Sequence, residues 1–390
     1  MRASPPAGPG RAAAIDGLRA LAALSVLGYH AWLYTRERVS AGVRESLADE
    51  LAHELRLGLV LFFVLSGYLL FGPWVRAALA GGPAPRTGAY LLRRVARIVP
   101  AYWAAVAGSI ALVWGLGDTP GVRLPPVEDL WLFAVFGQNF TTPTLLKLNA
   151  PLWTLAVEAS FYVVLPFLGW LALRLRGAGR EAQAIVPTLF LLLGVAWNWS
   201  IAGQSVPPTL TKLLPAMAPY FAVGMLAAVL GHGRALGAQG ARRLLAAGVV
   251  LVAVDAWWAA VAARSGSHDL TLHVLRDLLA ACGFGAVILA VTAGPAPRFL
   301  RARPLAIVGL WSYGVYLWHV PLLLWMRGHG VLPTSGWAAF ALVLLPTLAV
   351  AAASWTLIER PAQDWARRAL RGRGPARGER REPAQALGRP

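Results

Sequence analysis

Residues 15–30 read Ile-Asp-Gly-Leu-Arg-Ala-Leu-Ala-Ala-Leu-Ser-Val-Leu-Gly-Tyr-His, an apolar stretch that carries Asp16, Arg19 and His30. Ionisable side chains inside a bilayer cost ~2.5–3.5 kcal/mol each on insertion scales, so they are retained where they serve a function. Arg19 and His30 are eleven residues apart. At about 100° per residue they fall on nearly one helix face, ~16 Å apart along the axis. One stripe thus joins a cation near one membrane surface to an imidazole deep inside. A guanidinium holds anions and an imidazole moves protons. The pair points to chemistry carried out across the thickness of a membrane.

Two further ionisable residues reach a similar depth. Glu158 lies in the apolar run that starts at Pro151, and His319 lies in the run that starts at Leu305. With the N-terminus inside, His30, Glu158 and His319 fall in one layer of the outer half. A carboxylate at that depth needs a partner, and an imidazole is a natural one. Each also has a structural reading, as a satisfied core histidine or a helix tie. On the inner side, Arg93-Arg94-Val-Ala-Arg97-Ile-Val-Pro100-Ala-Tyr102 places Arg94 and Arg97 three apart on one face. Alone, such a pair reads as membrane anchoring. Beside Arg19 it forms an anion site able to grip phosphates in bidentate fashion.

Weaker signals carry less. His273-Val-Leu-Arg-Asp277 matches an H-x-x-x-D pattern seen in some soluble acyltransferases, but it is short. Glu359-Arg360-Pro361 at the end of the last apolar run reads mainly as a helix stop. Gly-rich phosphate loops and zinc-type spacings are absent. Cys282 is the single cysteine, which excludes an intrachain disulfide and a cysteine metal site. No metal and no bound cofactor are expected.

The elements that must position these residues are transmembrane helices. The chain is 57% hydrophobic and 14% charged, with mean hydropathy +0.56, where a soluble domain is about 25% charged. Runs of ~20 apolar residues cross a bilayer. Ten are expected, at 15–34, 57–75, 98–117, 151–173, 184–203, 213–231, 244–262, 271–292, 305–325 and 337–358. Between them, 118–150 holds the short run Trp131–Phe136, read as a half-helix or re-entrant piece. The fold class is therefore an all-α integral membrane bundle of about ten helices, in one domain over 15–365. The flanks 1–14 and 366–390, rich in Pro, Gly and Arg, are expected to be disordered. The first run has no small-residue cleavage site and reads as an uncleaved anchor.

The net charge of +18 and pI of about 11.3 could signal nucleic acid. The distribution argues otherwise. With the N-terminus inside, the inner segments hold 25 Lys and Arg against 9 outside. That bias places both termini in the cytoplasm and accounts for the charge without nucleic acid. The excess of Arg over Lys, with much Ala and Gly, fits a GC-rich, bacterial source and an inner-membrane location.

Taken in order, these segments resemble acyltransferase family 3, the bacterial membrane O-acyltransferases. The matching runs are Asp16-Gly-Leu-Arg19 with His30, then Gly58 to Tyr68 around Ser66-Gly67, then Arg94-x-x-Arg97-Ile-x-Pro100-x-Tyr102. Leu152-Trp153-Thr-Leu-Ala-Val-Glu158-x-x-Phe161-Tyr162, Ser312-Tyr313-x-x-Tyr316-Leu-Trp-His319-x-Pro321 and Glu359-Arg360-Pro361 follow. The resemblance implies a ten-helix core and an acyl-coenzyme A donor. The family's Arg-x10-His motif falls on Arg19 and His30, and its Arg-x-x-Arg motif on Arg94 and Arg97. Its Glu-Glu pair is Glu158-Ala159 here, and Thr154 stands where a Ser is more usual.

The resulting expectation is O-acyl transfer from acyl-coenzyme A to a hydroxyl of a sugar, a cell-envelope glycan or a glycosylated natural product such as a macrolide. Arg19, Arg94 and Arg97 would hold the donor. His30 would be the general base, oriented by Glu158. Asp16, Ser66, Asn139, Trp153, Tyr162 and His319 would support the site or contact the acceptor. The rival readings are a transporter that uses the buried charges as a path, and a non-catalytic membrane scaffold.

Overall fold

The structure, a computed structural model, describes residues 9–36, 46–264 and 270–371. Its regular elements there are all helical: α1 (Pro9–Tyr34), α2 (Leu47–Glu54), α3 (Leu57–Ala80), α4 (Thr87–Val113), α5 (Trp131–Ala134), α6 (Leu152–Arg174) and α7 (Gly179–Ile201). Next come α8 (Leu214–Gly231), α9 (Ala238–Arg264), α10 (Leu270–Ala293), α11 (Arg303–Gly328) and α12 (Gly336–Ser354). A π-helical turn (Trp355–Glu359) leads into α13 (Arg360–Arg371). Nine described helical stretches are long and apolar enough to cross a membrane. The tenth expected position is taken by α10, whose described apolar part is Asp277–Ala293. The protein is a multi-pass membrane bundle. In lipid every backbone N–H and C=O must be satisfied within the protein, which selects helices for these apolar runs.

Helix α1 runs between two packed cores. On one side it meets α3 and α10, in a core that α6 and α8 complete around Phe63, Phe161 and Phe221. On the other it meets α11 and α12 around Leu27, Val320 and Val343. Large apolar side chains such as Leu192, Val250, Trp257 and Leu345 stay exposed on the outer faces, where lipid replaces a protein partner. The approach of α1 to α11 is closest at Gly309, where an added Cβ would collide with the carbonyl of Asp16. The two helices run parallel from there, and this brings their distal halves together.

The structure departs from the sequence reading in three places. Helix α2 occupies a stretch read as a loop. It is only eight residues long and only half apolar, so a search for spans passes over it, but Ser46 caps it by accepting from the Asp49 N–H at 3.2 Å. Residues 9–14 and 366–371, read as disordered, are helical. The Ala12–Ala14 run extends α1, and α13 is amphipathic, burying Ala366 while exposing Arg367 and Arg368. The segment 118–150 holds only a 3-10 turn (Val127–Asp129) and the single turn of α5. Side chains fix the rest, for example Gln138 Nε2 donating to Leu152 O at 2.9 Å and Asn149 Nδ2 to Leu317 O at 3.0 Å.

Gly309→Val forces α11 away from α1 and is expected to destabilise the protein by about 1–3 kcal/mol. Gly88→Ala, where a Cβ meets open space, should be neutral or slightly stabilising. Thermal unfolding in detergent compares the two. Equal melting temperatures would refute the close-contact role of Gly309.

Candidate active site

The parallel run of α1 and α11 puts His30 against His319. Their rings sit 4.9 Å apart between centroids, with His30 Nδ1 3.1 Å from His319 Nε2. His319 is fully buried, and its Nδ1 lies 3.0 Å from the Val315 carbonyl. A carbonyl only accepts, so His319 Nδ1 carries the proton and its Nε2 offers a lone pair. His30 Nδ1 lies 3.0 Å from Val26 O as well, so it too is the protonated nitrogen, donating to Val26 O and His319 Nε2. His30 Nε2 is left as the basic nitrogen. Both rings are fixed by helix carbonyls four residues earlier, so the relay depends on helix geometry and on no flexible side chain.

Glu158 does not pair with His30, contrary to the depth argument. Its Oε1 accepts from Ser66 Oγ at 2.9 Å and from Tyr162 O–H at 2.6 Å. Glu158 faces α3 and lines the arginine-walled cavity, whereas His30 faces α11 and lies outside that lining. The guanidinium of Arg94 lies over the Tyr162 ring, 5.9 Å from its centroid. Arg19 lies within electrostatic range of Arg97, Asp16, Glu158 and Glu359, with Asp16 3.6 Å away. Glu158 is thus a counter-charge in an arginine layer.

That layer lines a cavity of about 1260 Å³. Its walls carry eight arginines: Arg11 and Arg19 of α1, Arg76 of α3, Arg93, Arg94 and Arg97 of α4, Arg234 of the α8–α9 loop, and Arg367 of α13. Asp16 and Glu158 are the only carboxylates that line it among the described residues. Both described ends of the chain therefore lie at this end of the bundle. The cavity stops at Thr154 and Tyr316, whose hydroxyls are 2.7 Å apart. The Tyr316 ring lies 5.8 Å from that of His319, so the histidine pair stands directly behind this wall.

Other expected residues fall outside this arrangement. Both N–H bonds of the Asn139 amide go to backbone, Trp153 O and Lys212 O, each at 2.7 Å, which makes Asn139 a clamp on the 118–150 segment rather than an acceptor contact. Trp153 lies under the Lys212 ammonium, 4.4 Å from ring centroid to Nζ. Asp277 receives Arg56 in a bidentate pair at 2.7 and 2.8 Å, and the side chain of His273 lies outside the described residues. Arg11, Arg76, Arg234 and Arg367 were not singled out from the sequence. Each lies near a span end or in the basic C-terminal flank, and nothing local distinguishes it from a positive-inside anchor.

A family model described as an acyltransferase domain matches residues 12–356, which include the histidine pair and nearly all of the cavity wall. The chain belongs to acyltransferase family 3. It is similar to Nodulation protein 10 of Rhizobium leguminosarum bv. viciae, 26% identical over 89% of this chain and 92% of that protein. It is also similar to the O-acetyltransferase OatA of Staphylococcus aureus, 22% identical over 89% of this chain and 56% of OatA. The chain thus spans about half the length of that second relative. No solved structure matches. This family 3 protein is accordingly a membrane O-acyltransferase, transferring groups other than amino-acyl groups.

Asn139→Ala removes two hydrogen bonds to buried carbonyls and is expected to lower stability by about 1–3 kcal/mol. The turnover of the folded fraction should stay within a few-fold of wild type. A large loss of turnover at unchanged melting temperature would return Asn139 to the reacting centre.

Proposed function

We propose that the donor is an acyl-coenzyme A, taken from the cytoplasm, and that the acceptor is a hydroxyl of a sugar on a cell-envelope glycan or a glycosylated natural product. The observation that carries the donor assignment is the cavity, where eight arginines face two carboxylates. Such a surplus of guanidinium groups in one recess favours a polyanion. The positive-inside bias puts this end of the bundle in the cytoplasm of a bacterial inner membrane, where the coenzyme is at hand. The O-acetyltransferase relative supports a hydroxyl as the acceptor.

The donor's diphosphate lies against Arg19, Arg94 and Arg97, and its thioester arm extends past Tyr316 and Thr154 toward the histidines. The ~16 Å rise along α1 from Arg19 to His30 sets the length this arm must cover. His30 Nε2 takes the proton of the acceptor hydroxyl as its oxygen attacks the thioester carbonyl. The tetrahedral intermediate collapses to the ester, and the departing thiolate receives that proton from His30. His319 Nε2 and Val26 O, both acceptors, stabilise the transient imidazolium. His319 is a positioning residue, acting through His30. Glu158 keeps the arginine layer neutral enough to stay packed and anchors Ser66 and Tyr162 in the wall.

Membranes containing the protein, supplied with labelled acetyl-coenzyme A and a panel of macrolides, sugar lipids and peptidoglycan fragments, test this reading. Label should pass to one acceptor class, and His30→Ala should lose roughly 10²–10⁴-fold in turnover. A folded His30→Ala protein with full turnover would end the mechanism. His319→Ala should reduce kcat with little change in donor KM. Arg94→Ala and Arg97→Ala should mainly raise donor KM. Uptake or flipping of a substrate without consumption of donor would favour a transporter instead.

A further inference from the structure

The arginines of the cavity form two groups at different levels. The inner group, Arg19, Arg94 and Arg97, surrounds the two carboxylates. The outer group includes Arg76, near the end of α3, and Arg234, just beyond the end of α8. Helices α3 and α8 cross in close contact, where a Cβ on Gly67 would meet Phe221 O and one on Gly224 would meet Val64 O, and from there both lead to the same cavity rim. From Gly67, Arg76 is nine residues on; from Phe221, His232 is eleven. At 1.5 Å per residue both lie ~13–17 Å toward the rim from that shared contact. Ser66, next to Gly67, marks the level of Glu158 through its 2.9 Å hydrogen bond. The rim arginines therefore stand well away from the inner layer along the cavity axis.

Among the described residues, nothing neutralises this rim pair. Neither the Arg76 nor the Arg234 side chain forms an ion pair or hydrogen bond among the described residues, and no carboxylate lines the cavity at their level. The local field is positive. His232, which lines the same rim, has its imidazole pushed down by burial and then by the cations of Arg180 and Arg76. Anchoring arginines point to lipid headgroups, whereas these line the recess that also holds the inner layer. A single phosphate or diphosphate cannot reach both levels, but a ligand with two separated phosphate groups can.

We infer that Arg76 and Arg234 form a second phosphate subsite, which receives the 3′-phosphate on the ribose of a coenzyme A donor while Arg19, Arg94 and Arg97 hold the diphosphate. This rests on the acyl-coenzyme A reading above. The subsite makes the enzyme select the coenzyme over analogues that lack the ribose phosphate.

The test is calorimetric titration of the full-length protein in detergent with coenzyme A and with 3′-dephospho-coenzyme A. Wild type should bind coenzyme A roughly tenfold or more tightly than the dephospho form, as expected for charge-assisted hydrogen bonds to one phosphate. The Arg76→Gln/Arg234→Gln double variant should bind both ligands as wild type binds the dephospho form. Arg94→Gln should weaken both ligands and keep their ratio. If wild type binds both equally, or the ratio survives in the double variant, the subsite is refuted while the donor assignment stands. If folded wild type binds neither, the donor assignment falls and the subsite with it.

Discussion

Gly309 lets the backbone of α11 press against that of α1 at Asp16, and farther along the same pair of helices two imidazoles meet at 3.1 Å. Much of the site follows from that contact. Each ring hydrogen-bonds the carbonyl four residues before it, so the helix itself sets the tautomer, and the single direct bond between rings sets the direction in which protons are held. A base built this way needs no carboxylate. In a medium where an unpaired charge is costly, a hydrogen-bonded pair of neutral rings is cheaper to bury than an ion pair.

The opposite end of the bundle shows the converse economy. Eight arginines converge on one recess with two carboxylates among them. Their mutual repulsion disfavours the empty arrangement, and Glu158 and Asp16 offset only part of it. Glu158 is held by Ser66 and Tyr162 rather than by histidine, which places the acid with the arginines of the cavity. In the proposed mechanism the two tasks are separated by depth: charge recognition at one surface, proton transfer in the interior, with Tyr316 and Thr154 between them.

Several parts of this arrangement were legible in the chain. Apolar runs of span length announced the helices, since lipid leaves the backbone few other choices. The register of Arg19 with His30, and of Arg94 with Arg97, followed from 3.6-residue periodicity within one element. Less legible were α2 and α13, because short amphipathic helices lack the uniform hydropathy of a span. The rim arginines were hidden among other basic residues that merely obey the positive-inside bias. The hydrogen bonds of Asn139 to the carbonyls of Trp153 and Lys212 were not legible, because bonds between distant segments leave no local pattern.

The sequence by itself determined the class of protein and its family, which depend on composition, on spacing within single helices and on the order of short motifs. Only the tertiary structure decided which groups share a site. Span positions alone placed His30, Glu158 and His319 in one layer. The rotation and neighbours of each helix instead joined His30 to His319 and turned Glu158 toward the arginines. Those rotations are fixed by close contacts such as Gly309 against Asp16, which arise between helices some three hundred residues apart in the chain and cannot be read from either one alone.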